Sequence, residues 1–152
     1  MPPAASRREQ ILANVATTLA MITLAGGYSV NIGTVSRGHL SPLETFGLPT
    51  ASILPVSDQP EYGAGVLRRV LTLTIRLWID VAGGTVATSL EGAIADVQRV
   101  MQVDSRRGGC AETTLEGPLQ YLYLVDAQTL AGADVGYDIP YETKITTPLE
   151  AP

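Results

Sequence analysis

Residues 66–81, VLRRVLTLTIRLWIDV, constrain the fold more than any other stretch. Leu67, Leu71, Leu73, Ile75, Leu77, Ile79 and Val81 alternate along one side, with Arg69 the single break. Side chains two apart share a face of a β-strand, so this segment predicts one long strand with an almost wholly aliphatic side. That side must be covered, and two helical patterns are there to cover it. In the first, Ile11, Val15, Leu19 and Ile22 recur at helical spacing, widened by Leu12 and Ala16. Ser6 and Glu9 match a capping box and Gly26-Gly27 a stop, predicting a helix over about 7–23. In the second, Leu90, Ile94, Val97 and Met101 form a stripe, predicting a helix over about 86–104. Its start fits Thr85 as well as a Thr88/Glu91 box.

The other elements are shorter. YSVNIGTV (28–35) alternates like a strand, ASILPV (51–56) reads as a short strand ended by Pro55, and 57–65 as a turn-rich connection. Residues 36–50, with two prolines and two glycines, read as a long loop. Toward the end, 111–117, 119–127 and 134–147 predict three strands; Pro140 cannot donate to a ladder, which suggests an edge or a bulge there. The expected order is α-β-β-β-α-β-β-β. The fold class is α+β, a mainly antiparallel sheet with two helices packed on one face. With 152 residues the chain is expected to be one domain, 1–152, with flexible ends at about 1–5 and 148–152.

The only cysteine is Cys110 and the only histidine His39, so no intrachain disulfide forms and no zinc site built from several Cys or His ligands of one chain exists. The net charge of −5 speaks against an ordinary nucleic-acid binder. No apolar run approaches the roughly 20 residues that span a bilayer, and Glu9, Gln10 and Asn14 interrupt any signal-peptide core. Neither a membrane partner nor a leader is expected.

The stretch MQVDSRRGGC (101–110) pairs glycine with positive charge as a phosphate loop does. The order of elements decides against that. Its glycines follow a helix, where the dipole end is negative, and the Lys-Ser/Thr ending of a P-loop is missing. The stretch reads as a helix stop, with Arg106 and Arg107 complementing the C-terminus and Gly108 or Gly109 as left-handed cap. YGAG (62–65) and AGGT (82–85) lack the spacing of a dinucleotide fingerprint. His39 has Ser41 and Glu44 nearby in sequence, too common a grouping to indicate catalysis. Cys110 lacks an evident base and reads as a small buried residue. Asp134 and Asp138 fit a solvated strand edge. The chain is expected not to be an enzyme, and no cofactor is implied. What stands out is the other side of the long strand, with Arg68, Arg76 and Trp78. A tryptophan between arginines fits either an interface or a solvent face whose Trp is covered by the 36–50 or 57–65 segment.

Four stretches carry a resemblance: REQILANVATTLAMI…GYSVNIGTVSRG, LTLTIRLWIDV, LEGAIADVQRVMQVDSRRGG and YDIPYETKITTP. In element order and spacing, including Arg37-Gly38 after the first strand, the chain resembles the tail terminator (tail completion, minor tail U-like) proteins of long-tailed bacteriophages. The resemblance implies a homohexameric ring at the head-proximal end of the tail tube. Such a ring stops tube polymerisation and meets a head-side connector or stopper protein, while DNA passes through without specific binding. It implies a virion neck protein made in the bacterial host cytoplasm. Arg37, His39, Arg68, Arg76 and Trp78, with the 36–50 loop, are then the expected interface residues. Another neck protein, a head-completion or stopper protein, is the alternative.

Overall fold

The computed structural model describes residues 4–38, 49–63, 65–80, 86–123 and 130–144. Helix α1 spans Arg7–Leu19 and α2 Val86–Val103; strands are β1 Thr34–Arg37, β2 Thr50–Tyr62, β3 Val66–Asp80, β4 Leu115–Tyr123 and β5 Leu130–Lys144. They form one sheet in the order β1-β2-β3-β5-β4. β1 runs parallel to β2 and every other pair is antiparallel. The α+β class holds. Both helical stripes share one core with the aliphatic side of β3 and the odd-numbered residues of β5. Leu71, Leu73, Ile75, Leu77 and Ile79 are at most 2% exposed, as are Ile94, Val97 and Met101 of α2. Burial of such side chains contributes about 1.5–3 kcal/mol each.

Ser6 caps α1 as expected, its Oγ accepting from the Glu9 amide at 3.1 Å. The Glu9 carboxylate, however, turns away from the Ser6 amide and takes a bidentate pair from Arg37 of β1. That hydrogen-bonded guanidinium lowers the Glu9 pKa. α1 also stops sooner than its stripe suggests. A short 3-10 helix follows at Leu24–Gly26, where Thr23 Oγ1 accepts from the Gly26 amide and Asn31 Oδ1 from the Leu24 amide.

Four expectations need correction. Residues 28–33 are not a strand: buried Asp96 of α2 accepts from the Ser29 amide (2.6 Å) and the Val30 amide (3.2 Å), taking donors a ladder would have used. β2 continues through 57–62 instead of ending at Pro55. Pro55 and Pro60 pair with Leu73 and Arg69, four residues apart, so both missing donors fall on the same side of β2. β1 pairs with Thr50–Ile53, and among the described residues no strand lies on that outer side beyond Ile53. Thr88 lies within α2, not at its cap; Thr85 lies outside the described residues. Finally, the described residues between 111 and 144 hold two strands rather than three. β4 is one strand with a register shift between Glu116 and Leu119, and β5 is interior, between β3 and β4. Pro140 is tolerated because β4 pairs only as far as Asp138, so the outer side of β5 is open to another acceptor arrangement, and the Pro140 carbonyl accepts from the Glu112 amide at 2.8 Å.

The stop after α2 is as the sequence suggests. Arg107, Gly108 and Gly109 all have positive φ (51°, 66° and 81°). Asp104 Oδ2 accepts from the Gly108 amide at 2.7 Å and from Asn14 Nδ2 at 3.0 Å. Burial alone would raise the Asp104 pKa, but the Asn14 and Gly108 hydrogen bonds and the Arg107 charge outweigh it and hold the carboxyl below the usual range. A lowered folded-state pKa gives stability that is complete above the unfolded value and lost as pH falls through the folded value. Asp104→Asn should therefore flatten the fall of melting temperature with acid below about pH 4. An unchanged acid limb in thermal melts at a series of pH values would refute this role.

Candidate functional site

The face of the sheet turned away from the helices carries a ladder of charged side chains. Arg76 Nε and Nη2 donate to the two oxygens of Asp134, both at 2.7 Å, across the β3–β5 pair. Thr72 donates to Asp138 at 2.6 Å. Arg68 reaches Glu61 on β2 at 2.7 Å and both oxygens of Glu112 at 2.9 and 3.1 Å. Hydrogen bonds donated to Glu112 and Glu61 raise the Arg68 pKa; those donated to Asp134 raise that of Arg76. Asp134 and Asp138 thus stand in the middle of a laddered face and not at a solvated edge. Cross-strand opposite charges of this kind hold register more than they hold free energy.

Trp78 sits on the same face at the other end and is 4% exposed, so it is buried within the protomer. Its ring lies against Gly132 of β5, where a Cβ would come within 2.6 Å of Trp78 Cε3. It is opposite Thr50, far from residues 57–62, which therefore do not cover it. Trp78 Nε1, Thr50 Oγ1 and Ser52 Oγ are buried without a hydrogen-bond partner among the described residues. Arg37 stands at the end of β1, two-fifths exposed and paired with Glu9. Of the expected interface residues, the sheet thus brings Arg68, Arg76 and Trp78 onto one face and sets Arg37 on the other; His39 and most of the 36–50 loop lie outside the described residues.

Sequence reasoning missed Asp58. The register shift in β2 after Pro55 turns Asp58 to the helix side, opposite Leu71. There its Oδ2 accepts from Arg8 (2.9 Å), Tyr141 (2.9 Å) and Arg69 (3.4 Å). Burial and the adjacent carboxylate raise the Tyr141 pKa. The signal was available: Arg69, the one break in the aliphatic side of β3, had to be partnered.

Cys110, half-buried beside an open cavity of about 260 Å³, has Arg7 Nη1 at 3.4 Å and Gln10 Oε1 at 3.3 Å. Those partners supply no base. Among the described residues no group of three or more His, Cys, Asp or Glu could hold a metal ion, and no described helix is long and apolar enough to cross a membrane.

Exposed large apolar side chains are spread over Met21, Leu24, Val56, Tyr62 and Val103, with three more on β4, the outer strand beyond β5. Leu115 is 52% exposed, Leu119 36% and Tyr121 39%. Tyr121 donates to Glu91 and Gln98 to Glu116, which tie β4 to α2.

No protein-family model and no curated protein matches this sequence. Among solved structures, the fold is similar to that of a chain in the virion of a native gene transfer agent (GTA) particle. The TM-score is 0.56 over 91% of this chain and 92% of that chain, at 20% sequence identity. The likeness is one of fold.

Proposed function

We propose that this chain is a non-enzymatic structural subunit of a phage-like particle, a tail terminator. It closes into a homohexameric ring at the head-proximal end of the tail tube, ends tube growth and joins the tail to the head-side connector. One observation carries the reading: the fold is shared, nearly end to end in both chains, with a component of a virion particle. The element order and spacing of the tail terminators supports the finer role. A laddered polar face and an apolar outer strand suit a subunit that meets other proteins. The net charge of −5 suits a ring through which DNA slides without sticking. On this reading the protein is made in the host cytoplasm and works in the neck of the virion.

The test is assembly. Added to polymerising tail tube protein from the same particle, the chain should cap tubes and shorten their length distribution as its concentration rises. Tubes of unchanged length, with the chain bound instead to the head-side connector, would make it a head-completion or stopper protein.

A further inference from the structure

The two outer strands of the sheet match each other. Reading the pairings across all five strands, Thr34, Thr50, Trp78, Gly132 and Leu122 form one row, and Arg37, Ile53, Ile75, Val135 and Leu119 another, with two rows between. The four residues of β1 therefore span the same height as Leu119–Leu122 of β4. Below that height both edges are blunted. β2 has Pro55, Pro60 and an unpaired Val56, and β4 shifts register around Gly117 and Pro118. Prolines and bulges are how sheets close an edge to strand addition. The upper half of each edge carries neither.

Strand polarity also agrees. β1 is parallel to β2, and the three antiparallel pairings that follow leave β1 antiparallel to β4. Copies related by rotation about an axis along the strands would thus meet as an antiparallel β4–β1 pair. That contact is head-to-tail, the kind that closes rings. The rows continue in kind: Tyr121 would follow Val35 on the helix side, and Gln120 would follow Ser36 on the other. Charge fits as well. Glu116, on the helix side of β4, is hydrogen-bonded to neutral Gln98 and has no ion pair among the described residues; Arg37 of the neighbour, which pairs with Glu9 in its own copy, would arrive two rows above it on the same face.

We propose that residues Leu119–Leu122 of one copy pair with β1 of the next, so that the ring seam is a continuation of the sheet; this rests on the ring reading above. The test uses cysteine pairs in a Cys110→Ser background. Ser36→Cys with Gln120→Cys lies on the charged face, and Arg37→Cys with Leu119→Cys on the helix side, so one pair covers for the other should a variant fail to fold by circular dichroism. Mild oxidation or a short bis-maleimide should give a ladder of covalent multimers up to the closed ring, while each single-cysteine variant stays monomeric on a denaturing gel. Rings by electron microscopy without a ladder from either pair would overturn the seam and leave the ring. A dimer from Gln120→Cys alone would replace the seam with β4 meeting its own copy. A monomer under all conditions, with no ladder, would overturn both.

Discussion

Arg107→Ala should destabilise the protein by about 3–5 kcal/mol, the range for removing one member of a buried charged network and a sizeable share of a domain's total stability. Arg107 is 0% exposed. Its Nε donates to Thr114 Oγ1 at 3.0 Å, Nη1 to Asn14 Oδ1 at 3.3 Å and Thr18 Oγ1 at 3.4 Å, and Nη2 to the Met101 carbonyl near the end of α2. One side chain thus ties the stop after α2 to α1 and to the residue before β4. Burial pushes the guanidinium pKa down, and nearby Asp104 opposes this; arginine stays charged in any case. Alanine would leave those acceptors unmet and a cavity the length of the side chain. Arg107→Met fills most of that space without meeting the acceptors and should fall between the two in urea denaturation. A loss under about 1 kcal/mol for the alanine variant would show that the guanidinium is not what holds the helices together.

Gly132→Ala should cost about 3 kcal/mol, the upper end for overpacking, because one of the obstacles cannot move aside. The added Cβ would lie 2.6 Å from the Leu77 carbonyl and 2.6 Å from the Trp78 ring. Relief requires the central β3–β5 pair to part or the indole to leave its buried place. Trp78 is the only tryptophan, so its fluorescence should shift to longer wavelength in the folded variant along with the fall in stability. A variant with native emission and native melting temperature would contradict the packing described for this face.

The parts of the fold readable in the sequence are those where one period runs unbroken. The leucines of β3 and the α2 stripe from Leu90 to Met101 each announce both their element and its buried side. The errors arise where a single residue's meaning depends on a distant neighbour. Pro55, Pro60 and Pro140 argue against strands until one knows that each sits where, among the described residues, no further strand pairs. The alternation at 28–33 looks like a strand until Asp96, more than 60 residues away, takes its amides. Arg106 and Arg107 are equivalent in sequence, yet only Arg107 is fully buried. Arg68, Arg76 and Trp78 were rightly placed together by alternation, but the partners of the arginines and the burial of the indole depend on β5, whose position beside β3 no local pattern gives. The match between β1 and Leu119–Leu122 is of the same kind, visible only once the strand order is known.

The central claim is that this chain works as a ring. Native mass measurement of the purified protein, combined with class averages of the same sample by electron microscopy, tests it most directly. The account expects particles six times the mass of the 16.0 kDa protomer, with sixfold averages and an open centre. A monomer that stays monomeric when tail tube protein is added, or a closed twofold dimer, would contradict it.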